Sequence, residues 1–532
     1  MKRFIHLVLA LTLLALLPLT AVNAQEEQKD TVRNTGIQIQ NLSESSASVS
    51  LRFFNPDGTT LTPQNVVIPS NGSVTLDTFV GTLSIPAGFE GSAVIESDQP
   101  IIAITNLSDS VANLNEGYPG IDQPSPIYNI PLVVANNIVG TGVSTSIAVQ
   151  NAGSTPVSGS IVYSQSSVPQ AQGSENRITL QTDNFTNLAP GASITFNNVD
   201  NPAAAGGLRY VGSAIAQVTT AGGQIAVSVL QEGNQQMLAF SAFPSGADTV
   251  AVPLVIAGNT DTRDYTGIQI QNVANTPAQV TVEFSNNTAS AGFGLEPCTG
   301  TGNGVMTSRT ATIAAGASFT IITFFFGSPS DNNLDANGFD PQFANCRYIG
   351  SAIIRGPSGS QLVSIVNQNR GRFSPPANSS STYEAFIGGT VGSGEARAPL
   401  VAGNYFGFVT GIQVQNLSTT ASVDVQVSFS PNTATAEQAT QSGTSGLCAT
   451  PATRSVTIPA NAAKTFVQLG FGAEDPATNP DGLDGSFNNC TYLGSATVSS
   501  SASGARIVSV VNFSSITRPT IDSLTTYNGF NQ

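Results

Sequence analysis

The sequence predicts an all-β protein of tandem antiparallel β-sandwich domains that follow an N-terminal signal peptide. One phrase recurs four times: an alternating strand that ends in Gln-Asn, and fifty to eighty residues later a Gly-Ser-Ala that opens another strand. The Gln-Asn strands lie at 36–41, 146–151, 267–272 and 411–416, and Gly-Ser-Ala begins at Gly91, Gly212, Gly350 and Gly494. Units of more than about 100 residues can each bury a core. The chain is therefore interpreted as a string of domains rather than a solenoid.

Apolar residues alternate with polar ones in most segments of each unit. In the first unit Val49, Leu51 and Phe53 follow this two-residue period, which is typical of a strand with one buried face. A turn sequence, Asn-Pro-Asp-Gly at 55–58, comes directly afterwards. Seven or eight such strands per unit predict a sandwich. We expect less than about 10% helix and an elongated rod of four domains.

The first residues have the features of a secretory signal peptide. Lys2 and Arg3 precede an apolar run over 4–17, and small residues flank a predicted cleavage before Gln25. A retained membrane anchor is disfavoured because the run is short for a span and is interrupted by Pro18. We expect a mature chain without a transmembrane segment, secreted to the extracellular space or the cell surface.

The charge disfavours nucleic acid as a partner. The chain has 18 Lys and Arg against 33 Asp and Glu, a net charge of −15. Removing the signal peptide takes away two basic residues, so the mature charge is 16 minus 33, or −17. An acidic surface repels nucleic acid and anionic lipid.

Domain boundaries come from a Pro-Leu-Val sequence that precedes three of the four Gln-Asn strands. The predicted segments are the signal peptide 1–24 and the units 25–130, 131–252, 253–398 and 399–532. The first unit has no Pro-Leu-Val strand of its own, and its mature start, 25–34, is short and polar. We therefore expect a less covered sheet edge in the first unit, with homo-assembly through that edge as one consequence.

Four cysteines are confined to the last two units. Cys298 and Cys346 belong to the third unit, and Cys448 and Cys490 to the fourth. In a secreted chain this parallel placement predicts one disulfide within each unit. Zinc is disfavoured because no C-x-x-C spacing occurs and the only histidine, His6, lies in the signal peptide.

One acidic loop precedes the second cysteine in each of the last two units. Calcium is the one candidate cofactor, and these loops are its candidate sites. Alternating Asp or Asn followed by Gly is how a short loop arranges oxygen ligands around calcium. The candidate ligands are Asp331, Asp335, Asn337 and Asp340 in the third unit, and Asp475, Asn479, Asp481 and Asp484 in the fourth. An ordinary turn remains the alternative, since neither loop has the bidentate Glu of an EF-hand.

The residues available for catalysis are few, so we expect no enzyme. The mature chain has no histidine for a Ser-His-Asp or Cys-His arrangement. Its two lysines, Lys29 and Lys464, lie outside any Ser-x-x-Lys motif. A carboxylate-based glycoside hydrolase is a weaker alternative. A string of carbohydrate-binding modules is the main alternative, although the chain has no Trp to stack on sugars.

The first half of each unit resembles bacterial immunoglobulin-like, adhesion-type domains of secreted and cell-surface proteins. The segment from 151–156 through 189–193 carries this resemblance best, with an Asn turn, an alternating strand and a Pro-Gly-x-Ser turn. The second half of each unit departs from that pattern, so the strand order is open. The signal peptide, the fourfold repeat and the lack of catalytic residues together predict a secreted, non-catalytic protein of the cell surface or matrix that acts in adhesion, presentation or assembly. We expect the cell surface, other surface proteins or extracellular polysaccharide as its partners.

Overall fold

The structure is a computed structural model, and strand accounts for 59% of it and helix for 4%. The all-β prediction is confirmed. The described residues are 33–78, 81–109, 114–136, 143–166, 178–233, 236–259, 264–286, 288–300, 305–324, 334, 338–370, 379–388, 392–431, 435–449, 451–515 and 524–531. The predicted signal peptide and the segment 25–32 lie outside them. Within these ranges no helix is long and apolar enough to span a membrane.

The first unit has seven strands in two antiparallel sheets. They are β1 (Arg33–Asn41), β2 (Ala47–Phe54), β3 (Gln64–Ile68), β4 (Ser73–Asp77), β5 (Ser92–Ser97), β6 (Ile101–Asp109) and β7 (Leu114–Pro119). One sheet has the order β4-β1-β6-β7 and the other β3-β2-β5. The second sheet therefore has one strand fewer than the first.

The second unit has eight strands. They are β8 (Ile127–Ala135), β9 (Ser144–Asn151), β10 (Val157–Gln165), β11 (Asp183–Leu188), β12 (Ser193–Asn197), β13 (Tyr210–Val218), β14 (Ile225–Gly233) and β15 (Gln236–Ser241). The sheets have the orders β11-β10-β13-β8 and β12-β9-β14-β15. Two 3-10 helices, Asn198–Asp200 and Pro202–Gly207, lie between β12 and β13.

The third unit repeats this arrangement. Its strands are β16 (Thr249–Asn259), β17 (Asp264–Asn272), β18 (Ala278–Phe284), β19 (Glu296–Pro297), β20 (Arg309–Ile313), β21 (Ser318–Ile322), β22 (Cys346–Arg355), β23 (Leu362–Arg370), β24 (Ser379–Glu384) and β25 (Phe386–Ile387). A 3-10 helix, Pro341–Phe343, precedes β22. Pairing of β16 with β17 joins the two sheets at one corner.

The fourth unit is built in the same way. Its strands are β26 (Glu395–Gly403), β27 (Phe408–Asn416), β28 (Val423–Pro431), β29 (Arg454–Ile458), β30 (Ala463–Val467), β31 (Tyr492–Ser499), β32 (Ile507–Ser515), β33 (Leu524–Asn528) and β34 (Phe530–Asn531). The short helix α1 (Ala436–Gln441) and a 3-10 helix, Gly485–Phe487, lie in its insertions. The sheets have the orders β29-β28-β31-β26-β34 and β30-β27-β32-β33.

The strand order differs from that of seven-stranded immunoglobulin sandwiches at three positions. In the second unit β9 pairs with β12 and β10 with β13, which matches the inner pairs of an immunoglobulin domain. However, the first strand, β8, pairs with β13, and β14 pairs with β9. The fourth strand, β11, pairs with β10 rather than with β12. The first, fourth and seventh strands therefore lie in the opposite sheets from those they occupy in a constant-type immunoglobulin domain.

The Pro-Leu-Val sequences lie in the middle of strands, not at their starts. We call β8, β16 and β26 the Pro-Leu-Val strands; each begins four residues before the predicted boundary, at Ile127, Thr249 and Glu395. The pairing register shifts at the proline in all three. Proline has no N–H to donate, so a sheet accepts it at such a bulge. The proline thus marks the centre of a strand rather than a unit boundary.

The four units form a closed ring rather than the expected rod. The last long strand of each unit, β7, β15, β24 or β33, packs against those of both neighbouring units, and we call these the axial strands. Each Pro-Leu-Val strand packs against the Gln-Asn strand of the next unit, β8 against β17 and β16 against β27. The same contact, β26 against β1, joins the fourth unit to the first. The rod prediction was wrong because each unit contacts two others, so the inter-unit contacts, which we call seams, close into a ring.

Both predicted disulfides are present. Cys298 and Cys346 have Cα atoms 4.9 Å apart, and Cys448 and Cys490 have Cα atoms 4.8 Å apart. Each bond ties an insertion to the residues that lead into the Gly-Ser-Ala strand of the same unit. Each closes a loop within one unit.

Replacing Cys298 and Cys346 together by serine should lower the free energy of unfolding of the third unit by about 4 kcal/mol, because the bond closes a long loop in the unfolded chain. Urea denaturation followed by far-ultraviolet circular dichroism measures the loss. Reduction of the parent protein, as a control, should destabilise the third and fourth units together. Equal stability of variant and parent would contradict the prediction.

Candidate functional site

The serine of Gly-Ser-Ala bonds to the next unit at three seams. In each case its hydroxyl donates to a main-chain carbonyl in the turn that precedes β12, β21 or β30 of the next unit. The pairs are Ser92 with Gly191 at 2.6 Å, Ser213 with Gly316 at 2.8 Å, and Ser351 with Asn461 at 3.4 Å. The accepting residues have positive φ, between 56° and 78°. Glycine and asparagine are the residues that most readily adopt this conformation.

The glycine of Gly-Ser-Ala allows a close backbone approach inside each unit. A Cβ at Gly212 would lie 2.1 Å from the carbonyl oxygen of Ser164, and one at Gly494 would lie 2.3 Å from that of Ser430. No side chain fits at such distances. Glycine at these two positions therefore lets the neighbouring strand of the same unit approach closely.

The glutamine of Gln-Asn also crosses the seam. The side-chain amide of Gln271 donates to the carbonyl of Ala214 in the second unit, at 3.3 Å. Gln415 donates in the same way to Ala352 in the third unit, at 3.3 Å. The accepting alanine belongs to Gly-Ser-Ala in both cases. The Gln-Asn and Gly-Ser-Ala motifs are therefore hydrogen-bonded to each other across these two seams.

The asparagine of Gln-Asn closes a turn within its own unit, as expected for an asparagine at the end of a strand. In the first unit Asn41 accepts from the N–H of Ser43 at 2.9 Å and donates to the carbonyl of Ile68 at 3.2 Å. Asn151, Asn272 and Asn416 make the equivalent bonds. The Asx-turn is confirmed in all four units.

Apolar side chains fill three of the seams. Val363 and Ile365 of β23 are fully buried in the core of the second unit, and Val508 and Val510 of β32 in that of the third. Ile104 of β6 lies in the core of the fourth unit. Burial of each such side chain contributes about 1.5–3 kcal/mol.

The seam between the first and second units is different. By strand register, Ala226 and Ser228 of β14 occupy the positions of Val363 and Ile365. Both are only partly buried. The second unit therefore presents small and polar side chains where the other seams have valine or isoleucine, and this seam has no Pro-Leu-Val strand of the first unit among the described residues.

An arginine cluster joins the third unit to the fourth. The Arg347 guanidinium donates to Asp481 at 2.8 Å, to the side chain of Asn259 at 2.7 Å and to the carbonyl of Ser290 at 2.9 Å. The Ser290 hydroxyl also donates to Asp481 at 2.8 Å. The Arg347 side chain is 5% exposed and that of Asp481 31%. The pair is thus an inter-unit bond that is mostly shielded from water.

The axial strands bring two carboxylates into the centre of the ring. Glu116 is fully buried and accepts from the Ser381 hydroxyl at 2.9 Å. Glu384 accepts from the N–H of Ser241 at 2.6 Å. Burial raises the pKa of Glu384 to about 7, although the Ser241 N–H opposes this shift. Glu384 therefore carries its proton at mildly acidic pH.

Only one Gly-Ser-Ala strand has a single partner in the part of the chain that is described. The strands β13, β22 and β31 each pair with a Pro-Leu-Val strand. In the first unit β5 pairs with β2 alone among the described residues. We call the other side of β5 the open edge. The sequence predicts this edge, because the first unit has no Pro-Leu-Val sequence.

Five of the eight candidate calcium ligands lie among the described residues. Asp331, Asp335 and Asn337 lie outside the described residues. Asp340 is fully buried, caps the following 3-10 helix and forms an ion pair with Arg309. Among the described residues, no group of three or more His, Cys, Asp or Glu is placed to hold a metal ion.

The fourth-unit loop is held together by cations of the protein itself. Asp484 pairs with Arg454, and Asp481 with Arg347. The Lys464 ammonium donates to the carbonyl of Asn479 at 2.8 Å, and Asp475 accepts from the N–H of Ala477 at 2.9 Å. These bonds give the four residues a structural role, and calcium at either loop stays a prediction.

The sequence did not reveal that the repeated Ser and Gln act between units. A polar residue repeated at the same place in every unit is as consistent with a turn as with a seam. The available signal was that serine and glutamine recur on strands whose neighbouring positions are apolar, which indicates buried polar groups that require partners.

No known family model, characterised protein or solved structure matches the chain significantly. The structure defines the chain as an all-β protein of four quasi-equivalent sandwich units joined through repeated seams. Its described polar clusters are engaged in ion pairs, turns and inter-unit bonds.

Asp481→Asn should lower the free energy of unfolding by about 1–2 kcal/mol, because a nearly buried arginine loses its charged partner. Chemical denaturation measures the loss, and hydrogen exchange should localise it to the seam between the third and fourth units. Glu96→Gln is the matched control: it removes the exposed Arg52–Glu96 pair and should cost less than about 0.5 kcal/mol. Equal effects of the two substitutions would contradict the assignment.

Stability should fall as pH rises from about 4.5 to about 7, because Glu384 keeps its proton in the folded state while the unfolded chain releases it. The shift corresponds to about 3 kcal/mol. Glu384→Gln should remove this part of the pH dependence, as measured by melting temperature against pH. Glu283→Gln alters a half-exposed carboxylate and should leave the profile unchanged. An unchanged profile for Glu384→Gln would contradict the prediction.

Proposed function

We propose that this chain is a secreted, non-catalytic protein of the cell surface or extracellular matrix that acts in adhesion, presentation or assembly. The observation that carries the proposal is the combination of a closed four-unit ring with one sandwich that has no Pro-Leu-Val strand among the described residues. A ring whose seams use the repeated residues is a stable framework. At the open edge of β5, main-chain N–H and C=O groups have no strand partner among the described residues, and a strand of another chain could pair with them.

The chemistry of the described residues supports a binding role. Asp340, Asp481 and Asp484 neutralise arginines, and the two buried glutamates bond within the axial strands. The repeated serines and glutamines bond across seams. These groups stabilise the framework.

We also propose a distant relation to immunoglobulin-like adhesion domains. The support is the shared pairing of second with fifth and third with sixth strands in the second and fourth units. The third unit has the same pairs, β17 with β21 and β18 with β22, once the two-residue strand β19 is left out of the count. The exchanged first, fourth and seventh strands are the points of difference. Fold likeness alone selects no ligand, so the functional proposal depends on the ring and its open edge.

Location on the producing cell tests the proposal. An epitope tag placed after the C-terminal residue should be labelled by antibody on intact cells, or recovered from the medium. A cytoplasmic marker that is labelled only after permeabilisation is the control. Tag labelling that also requires permeabilisation would overturn the proposal. A glycan array gives the second readout, and saturable binding to one sugar class would favour the carbohydrate-binding alternative instead.

A further inference from the structure

The open edge can be compared with three filled edges in the same molecule. In the second unit the N–H of Val218 donates to the carbonyl of Pro126 just before β8, at 2.8 Å, and that of Thr219 donates to the carbonyl of Ser158 in β10, also at 2.8 Å. In the first unit the N–H of Asp98 donates to the carbonyl of Ser48 in β2, at 3.3 Å. Main-chain groups alternate along a strand, so those of Ser97, Ile95 and Ala93 point to the open edge.

The core behind the open edge is also less covered. Ile95 and Ile101 of the first unit are partly buried. The residues at the position of Ile95 in the other units are fully buried, and so are those at the position of Ile101: Ala216, Ile354 and Val498, and Ile225, Leu362 and Ile507. The missing strand thus leaves both a hydrogen-bonding edge and part of an apolar core incomplete.

The segment before β1 does not have the composition of the missing strand. In the third unit β16 begins 15 residues before β17, and the same offset from β1 falls at Pro18, inside the predicted signal peptide. Residues 25–32 read Gln-Glu-Glu-Gln-Lys-Asp-Thr-Val, with charges at four of eight positions. Such a sequence lacks the alternating apolar side chains that a sandwich edge buries.

A folded second copy has no spare Pro-Leu-Val strand to donate. The three that the chain contains are each paired within their own units. The partner strand must therefore come from a different polypeptide. Its chemistry follows from the strands that fill the other edges.

The filled edges define the side chains that such a strand needs. In β8 the inward residues Tyr128, Ile130 and Val133 are fully buried, and they lie on both sides of the bulge at Pro131. Strand β16 repeats the pattern with Val250, Val252 and Val255, and β26 with Ala396, Ala398 and Val401. The inward positions are apolar in all three, and a proline interrupts the ladder at one place.

We propose that the open edge of β5 binds an extended segment of a partner polypeptide, antiparallel to β5, with apolar residues at alternate positions around a central proline. This inference rests on the proposed assembly role and names the chemistry of its partner. The strand would complete the first sandwich and fill the seam beside Ala226 and Ser228. Because those residues are small, the outward positions of the segment are less restricted than its inward ones.

The sequence of Ile127–Ala135 supplies the probe. A fluorescent peptide of this sequence should bind the chain that begins at Gln25, as measured by anisotropy. In the second unit the N–H of Asn129 donates to Phe243, away from β13, at 2.7 Å; by alternation those of Tyr128 and Ile130 face β13. N-methylation at the Asn129 position should change the Kd less than about threefold, whereas N-methylation at the Tyr128 and Ile130 positions should weaken binding at least about tenfold.

A self-complemented chain provides the control on the protein side. It carries the sequence of residues 249–263 directly before Arg33, which places a copy of β16 at the native spacing. It should lose at least about tenfold in peptide affinity and melt at a higher temperature. The same extension with aspartate at the positions of Val250 and Val252 should leave peptide binding intact.

Three results would overturn the inference. The first is failure of the folded parent chain to bind the unmodified peptide. The second is equal binding of the two N-methylated peptides, since strand addition requires the ladder. The third is a concentration-dependent oligomer of the parent that the self-complemented chain does not form, because the occupant would then be a second copy. None of these results changes labelling of the protein on intact cells, so they leave the proposed function separately testable.

Discussion

Burial of the Pro-Leu-Val strand on both of its faces is the constraint on which the ring depends. One face covers the core of its own sandwich, where Ile130, Val252 and Ala398 are fully buried. The other face packs against the next unit, whose Val363 or Val508 joins the same core. A strand buried on both sides requires a neighbour, so an isolated complete unit would expose apolar surface to water. The units are therefore mutually dependent, although each has its own pair of sheets.

Polar groups then set the register of these apolar seams. The serine of Gly-Ser-Ala and the glutamine of Gln-Asn each bond to a main-chain carbonyl of the adjoining unit. A hydrogen bond contributes about 1 kcal/mol, but a buried donor without a partner costs more. Misplacing a seam would leave several such groups without partners. Hydrophobic burial thus holds the units together, and the repeated polar residues select one arrangement.

The first unit differs from the other three, and this difference makes the ring asymmetric. Its sheet β3-β2-β5 has no Pro-Leu-Val strand among the described residues, and the facing residues of the second unit are Ala226 and Ser228 rather than valine or isoleucine. The unit without a described Pro-Leu-Val strand and the unit with the smaller facing residues therefore meet at the same seam. One of four equivalent positions therefore differs from the rest, which suits a protein that attaches to a partner at a single place.

The sequence by itself determined the strands, the turns and the disulfide pairs. Alternation in Val49, Leu51 and Phe53 identifies β2 because a two-residue period is a local property. The Asx-turn at Asn41 is equally local, and the cysteine pairs follow from their parallel placement in two units. The absence of a Pro-Leu-Val sequence also predicted the less covered edge.

Only the tertiary structure decided the ring, the strand order and the position of the unit starts. Closure depends on which outward residues, such as Ile104 and Ile365, meet another unit, and alternation does not distinguish a face exposed to solvent from one buried at a seam. The bulge at Pro131 depends on how β8 pairs with its partner strand. Without that pairing the proline was taken as the start of a strand, whereas it lies in the middle of one. Likewise the ion pair of Asp340 with Arg309 joins residues 31 positions apart. Local pattern specifies elements, whereas contacts between distant residues specify how those elements assemble.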